Sequence, residues 1–199
     1  MNNDFVKNGY NKIAEAYTKR RAEFGSIQYL QQFNKLLKSD SLVLDLGCGG
    51  GKPADKFFVN HGHKIVGIDI SEKQIELAKK NVPRGEFKVE DLSQLTLDEY
   101  KVDAVVSFYA IFHTKRETHE ELFKKINSFL PKDGLILVTM GSTEWEGTEE
   151  NFHGTKMFWS HFGAEKNLKM IKDSGFKIIF NEIDESGGEK HQIIIAKKL

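Results

Sequence analysis

From residue 42 onward the apolar residues fall into two alternating patterns. Short runs rich in Val, Ile and Leu, namely LVLDL, KIVGID, FKVED, AVVSF and LILVTM, are separated by stretches whose apolar residues recur every three or four positions. The short runs suit strands buried on both faces, and the periodic stretches suit amphipathic helices. That order predicts a parallel sheet with helices on both faces. Two helix starts carry capping boxes: Ser71-Glu72-Lys73-Gln74 ahead of Ile75 and Leu77, and Thr114-Lys115-Arg116-Glu117 ahead of Leu122, Ile126 and Phe129. Pro131-Lys132-Asp133-Gly134 ends the second of these helices and turns the chain into LILVTM.

Toward the C-terminus the pattern changes. A helix predicted from Ala164 to Ser174 closes on Gly175, and strands at Phe176 to Ile183 and His191 to Lys197 are joined through Ser186-Gly187-Gly188 as an antiparallel hairpin. Ahead of the sheet, Val6, Tyr10, Ile13 and Tyr17 repeat at helical spacing, and Ser26 is placed to cap a second helix carrying Ile27, Leu30, Phe33 and Leu37. With no internal repeat, low-complexity tract or linker, the 199 residues suit one domain. The predicted parts are an N-terminal helical cap over 1–40, a core over 41–140, a segment over 141–162 that is the least sheet-like of all, and a C-terminal helix and hairpin over 163–199.

Charge and composition narrow the partners. Lys+Arg and Asp+Glu each number 29, so the net charge is zero and the chain offers no global attraction to nucleic acid or anionic membrane. No apolar run approaches the roughly 18 residues of a membrane span, and the polar start MNNDFVKNGY lacks a signal peptide's apolar core and cleavage pattern. Cys48 is the only cysteine, which excludes an internal disulfide and fits a reducing compartment. A cytosolic protein, monomeric or homodimeric, is expected. No His, Asp or Glu grouping has metal-ligand spacing.

The densest chemistry lies in DLGCGGGKP, residues 45 to 53, where a strand hands over to a helix. Glycine is costly in regular structure, so four in seven residues imply a tight turn or a ligand pressed against bare backbone. A dinucleotide loop reads G-x-G-x-x-G, but counting from Gly47 and Gly49 its third glycine falls on Lys52. A phosphate-gripping loop requires Ser or Thr after its lysine, and Pro53 follows Lys52. Asp69 ends the second strand 22 residues after Gly47, where a carboxylate can accept both hydroxyls of a ribose. A helix-entry acid is the plainer reading of Asp69, but Ser71 already supplies that cap.

The pattern that fits is acidic-x-Gly-x-Gly-x-Gly, and with it the chain resembles the class I S-adenosylmethionine-dependent methyltransferases, especially the small-molecule group that includes quinone-biosynthesis enzymes. The resemblance runs from about Asp4 to the end and is carried by DLGCGGG, by GIDIS at 67 to 71, by VEDL at 89 to 92 and by VVSFYAIFH at 105 to 113. It implies a doubly wound, Rossmann-like seven-stranded sheet and S-adenosyl-L-methionine as cofactor. It further implies that Gly47, Gly49 and the Ser107 carbonyl surround the methionine part, that Asp91 takes the adenine amino group, and that Leu92 supplies a backbone donor or an apolar wall. Asp45, Cys48 and Ile70 stand beside these positions and are placed in the same site. For Asp91 a simple turn acid is the rival reading. Cys48 has no neighbouring base in sequence and reads as inert packing rather than a nucleophile.

The acceptor leaves fewer marks. Methyltransferases acting on base amino groups carry two prolines after the fourth strand, whereas this chain has Ser107-Phe108-Tyr109-Ala110. With zero net charge, a small-molecule acceptor is expected and a nucleic acid is not. The segment Gly141 to Phe162 holds both tryptophans, Trp145 and Trp159, just past the fifth strand, where a lid or acceptor wall belongs. The rival is a plain hydrophobic plug of Met157, Phe158 and Trp159. Tyr10 and Tyr17 share a helix face that serves either core packing or the far wall of the cleft, and Tyr109 joins them as an acceptor contact. His113 directly follows the fourth strand and is the first candidate for catalysis, with His161 second; a structural histidine is the competing reading of each. A cofactor-binding regulatory protein without turnover is the alternative function.

Overall fold

The five central apolar runs become five parallel strands of one sheet. In the computed structural model, which describes residues 4–21, 27–186 and 188–199, these are β1 Leu42–Leu46, β2 Lys64–Asp69, β3 Glu86–Val89, β4 Ala104–Ser107 and β5 Leu135–Gly141. A separate antiparallel ribbon follows, β6 Trp145–Phe152 with β7 Thr155–His161, and then β8 Phe176–Asp184 and β9 His191–Lys198. The main sheet has the order β3-β2-β1-β4-β5-β9-β8, and β9 runs antiparallel to both of its neighbours. Every residue of β4 and β5 is buried, which is why these strands read as unbroken apolar runs rather than alternations.

Among the described residues there are six α-helices: α1 Asp4–Arg21, α2 Ile27–Asn34, α3 Ala54–Asn60, α4 Glu72–Asn81, α5 His119–Phe129 and α6 Ala164–Asp173. Successive strand residues enter opposite layers, as the period of two requires. Leu44, Ile136 and Val138 pack with Phe123, Ile126 and Phe129 of α5 and Ile171 of α6, whereas Val43, Val106 and Leu137 pack with Phe33 of α2, Phe58 of α3 and Ile75 of α4. A third, smaller cluster joins Val6 of α1 to Met157 and Phe158 of β7. There a Cβ on Gly9 would stand 2.9 Å from the Met157 methyl, so the bare glycine lets α1 lie flat on the ribbon.

The boundaries show which local signals prevailed. Ser71 Oγ accepts the Gln74 backbone N–H at 3.1 Å, so the first capping box forms its N-cap bond. The second box does not form. Thr114 Oγ1 donates backward to the Ile111 carbonyl at 2.7 Å, a further single 3₁₀ turn occupies Arg116–Thr118, and α5 begins only at His119. Gly175 takes φ +91° beyond α6, the left-handed stop anticipated there. Ser26 and Gly187, given a cap and a turn by the sequence, lie outside the described residues.

Residues 141–162 require correction, because they are a β-ribbon rather than the least sheet-like segment. His153 and Gly154 link its strands with φ +50° and +83°, the two positive values that a type I′ turn demands. Its first strand, WEGTEENF, is exposed or half-exposed throughout, so no buried face imprinted an alternation on the sequence. Among the described residues no helix is long and apolar enough to cross a membrane.

Candidate functional site

The glycine loop is fastened at the carboxyl end of the sheet. The Gly47 and Cys48 N–H groups both donate to the Ile68 carbonyl of β2, at 2.8 and 3.0 Å. Gly47 has φ +79° and its missing Cβ would drive into Ala110, so this glycine serves the fold. Gly49 has φ +54°, and the nearest atom to a Cβ built on it is Gln74 Oε1, at 3.8 Å. Its open side faces the cleft that it lines. Gly50 abuts Thr18 of α1, which brings that helix across the loop.

The cleft encloses about 880 Å³, its open mouth included. It runs over the ends of β3, β2, β1 and β4, three inter-strand spacings or about 14 Å. Asp45, Gly47, Cys48, Gly49, Asp69, Ile70, Asp91, Leu92, Tyr10, Tyr17, Tyr109 and His113 all line it. These anticipated residues come from five separate segments.

Asp69 is locked in place by backbone donors. Its Oδ2 accepts from Gly49 N at 3.0 Å and its Oδ1 from Ser71 N at 2.8 Å, yet burial still pushes its pKa up to about 6. Asp91 accepts from Ser93 N at 2.8 Å and caps the 3₁₀ turn Leu92–Gln94, so it is a turn acid as well as a cleft residue. Beneath the loop, burial and then the adjacent Asp45 hold the Asp55 carboxyl well above its ordinary range. Burial, then Asp55, Asp69 and Asp45, likewise raise the Cys48 thiol. Cys48 in the folded protein is therefore expected to react with a thiol reagent at least about tenfold more slowly than after unfolding in urea. Equal rates would mark an accessible thiolate.

Ser107 stands apart from the lining. It is fully buried, and its hydroxyl donates to the Leu46 carbonyl at 2.8 Å, tying β4 to β1 behind the cleft. Trp145, Trp159 and His161 are not brought to the cleft either. His161 Nδ1 bonds the Thr143 carbonyl at 2.6 Å and the ring lies over Gly141, while Trp159 packs behind His113 at 5.4 Å between ring centroids. Trp159 and His161 border a second recess with Phe112 and His191, and Trp145 is an exposed neighbour. The ribbon backs the cleft wall, with Phe152 and His153 against Tyr17 and the Phe158 carbonyl bonding His113 Nδ1 at 2.7 Å.

Thr18, Gln74, Phe108 and Thr114 line the cleft without having been anticipated there. Gln74 is the most informative of them. Its Oε1 accepts from Thr18 Oγ1 at 2.9 Å, and its buried Nε2 has no partner although the side chain borders the cleft. The capping box occupies its backbone N–H and concealed a second use for its amide. Among the described residues no group of three or more metal-ligating side chains could hold an ion.

A methyltransferase-domain family model matches residues 43–134, from β1 to the turn before β5. Over these residues the chain carries a methyltransferase domain of the class I S-adenosylmethionine-dependent type. It is 24% identical over 146 residues to an uncharacterised methyltransferase of Oceanobacillus iheyensis, covering 73% of this chain and 61% of that protein. It is 28% identical over 151 residues to the tRNA (carboxymethyluridine(34)-5-O)-methyltransferase of Saccharomyces cerevisiae, covering 75% of this chain and 52% of the relative. The chain thus spans less than two thirds of either relative's length. Magnesium protoporphyrin IX methyltransferase from Synechocystis PCC 6803, solved with bound S-adenosylhomocysteine, has the same fold at TM-score 0.75 and 18% identity, covering 98% of this chain and 99% of that one.

S-adenosyl-L-methionine is the cofactor of this methyltransferase family, and the cleft's chemistry fits it. Carboxylates at Asp69 and Asp91 match hydroxyl and amino donors, Ile70 and Leu92 offer apolar surface to a flat base, and the side-chain-free face of Gly49 admits a ligand against the main chain. The unpartnered Gln74 amide adds a donor.

Proposed function

We propose that this methyltransferase binds S-adenosyl-L-methionine along the cleft and transfers its methyl group to a small-molecule acceptor. The reading is carried by the meeting of the glycine loop, Asp69 and Asp91 along one cleft at the carboxyl ends of β1, β2 and β3, the ligand-binding edge of an open α/β sheet. Asp69 would accept the ribose hydroxyls and Asp91 the adenine amino group, with Ile70 and Leu92 walling the base. Gly47 and Gly49 would lie against the methionine part, with the Gln74 amide as a further donor. Bound there, the cofactor supplies an electrophilic methyl on a sulfonium whose positive charge is lost during transfer. The residues' task is alignment and exclusion of water, which can supply an effective molarity of about 10⁵ M or more.

Charge supports a small acceptor over a polynucleotide. Asp45, Asp69 and Asp91 line the cleft, and Lys52 is its one cationic side chain among the described residues. The ribbon beside it carries Glu146, Glu149 and Glu150 in its first strand. A phosphate backbone needs Lys and Arg along its path. Tyr10, Tyr17, Tyr109 and His113, at the β4 side, are left to meet the acceptor.

Calorimetry is expected to show S-adenosylmethionine and its demethylated product binding at micromolar levels, with NAD and ATP silent. Preferential NAD binding would end the cofactor assignment. With tritiated methyl on the cofactor, label should enter a deproteinised metabolite extract and not a bulk tRNA pool; label in the tRNA would overturn the small-molecule acceptor.

A further inference from the structure

We infer that Tyr10 and His113 form a proton relay to an acceptor that gives up a proton as it is methylated. The inference rests on the methyl-transfer reading above. Hydrogen-bond chemistry assigns both protons of the pair. A backbone carbonyl can only accept, so the 2.7 Å bond from His113 Nδ1 to the Phe158 oxygen places the imidazole proton on Nδ1. Nε2 is then a lone pair, and its 2.8 Å contact with Tyr10 Oη makes the phenol the donor. Both residues line the cofactor cleft, His113 just past β4 and Tyr10 on α1. A plain structural histidine needs no cleft-lining phenol on its second nitrogen.

The transfer balances through this pair. For a hydroxyl acceptor, a lone pair of its oxygen forms the bond to the methyl carbon as the carbon–sulfur bond breaks, and the electrons of that bond stay on sulfur as a neutral thioether. The acceptor's hydroxyl proton passes to Tyr10 Oη while the Tyr10 proton passes to His113 Nε2. One positive charge leaves sulfur and one appears on the imidazolium, with Nδ1–H still held by the Phe158 carbonyl. After product leaves, the proton returns to water by the reverse path.

Burial lowers the His113 pKa to about 4, which makes the relay's base weak. A protonated ether or thioether is a far stronger acid than such an imidazolium, so a hydroxyl or thiol acceptor loses its proton readily as the methyl arrives. A methylated alkylammonium holds its proton too tightly, and a thioether or tertiary amine has none to give.

The test combines a spectrum with kinetics. In ¹⁵N-histidine-labelled protein, His113 should be the neutral Nδ1–H tautomer at neutral pH, and Tyr10→Phe should shift its Nε2 resonance. Phe keeps the ring packing against Tyr17, at 5.1 Å between centroids, so the variant should fold. With tritiated cofactor and a deproteinised metabolite extract, Tyr10→Phe should lower the maximal transfer rate about 10- to 100-fold. The cofactor KM should stay within about threefold, and the solvent deuterium isotope effect seen in the wild type should vanish. The labelled products should be methyl ethers or thioethers without a new fixed charge. An Nε2–H tautomer, an unchanged rate in Tyr10→Phe, or methylamine products would overturn the relay. A wild-type protein that binds cofactor and labels nothing overturns the transfer reading itself, and the relay with it.

Discussion

Gly49→Val is expected to abolish cofactor binding and leave the domain folded, whereas Gly47→Val is expected to damage the fold itself. Both glycines hold positive φ, at +54° and +79°, so each valine incurs backbone strain of about 1–3 kcal/mol. A domain with roughly 5–15 kcal/mol of stability survives that alone. The two sites differ in what a Cβ meets. At position 47 it enters the side chain of Ala110, and relief requires moving the turn after β4. At position 49 the nearest atom is 3.8 Å away, so the isopropyl group finds protein space open and fills the cleft instead. Calorimetry with S-adenosylhomocysteine should therefore show at least about a hundredfold loss for Gly49→Val, with a melting temperature lowered by only about 2–4 °C per kcal/mol of strain. If binding survives in Gly49→Val, the ligand does not approach the main chain here.

The contrast explains how far the loop could be read from sequence. Four glycines in seven residues announce that some backbone is special, but not which glycine serves the turn and which serves the ligand. That distinction depends on Ala110, which lies 63 positions beyond Gly47. The order of elements was more legible because it depends on neighbours in sequence. Fully buried strands give unbroken apolar runs, and a cap such as Ser71 meets its partner three residues away. The failures share one cause. Thr114 had a local capping box available, but the turn after β4 claimed its hydroxyl, and α5 starts five residues later. WEGTEENF forms a strand because β7 pairs with it, although neither of its faces is buried.

The same limit separates the two ends of the site. Asp69 and Asp91 follow strands directly, so strand order alone carries them to the cleft. Trp159 and His161 also looked well placed, but a ribbon alternates its side chains, and its register turns them toward the second recess. The polar contact that the ribbon offers His113 is the Phe158 carbonyl, a group that every residue possesses and no side-chain pattern can announce.

Asp69 should give the molecule two opposite responses to pH, and this is the sharpest test of its place in the site. Burial raises its pKa from 3.8 to about 6 in the unliganded protein. The folded state therefore holds this proton more tightly than the unfolded chain. Its contribution to stability is full below about pH 4 and is lost as pH rises through 6, a change of about 2–3 kcal/mol. Ligand hydroxyls donate to the carboxylate and not to the carboxylic acid, so binding favours the ionised form and lowers the pKa. Affinity must then climb as pH rises toward 6 and level off above it. Titrations with S-adenosylhomocysteine between pH 5 and 8 should show that rise and plateau, while unfolding midpoints of the apoprotein over the same range fall by more in the wild type than in Asp69→Asn. The variant should bind about 1.5–3 kcal/mol more weakly on the plateau, the scale of hydrogen bonds to a charged group, and its affinity should not climb with pH. Were wild type and variant to trace the same affinity curve, Asp69 would be a buried acid that holds the glycine loop through Gly49 and touches no ligand.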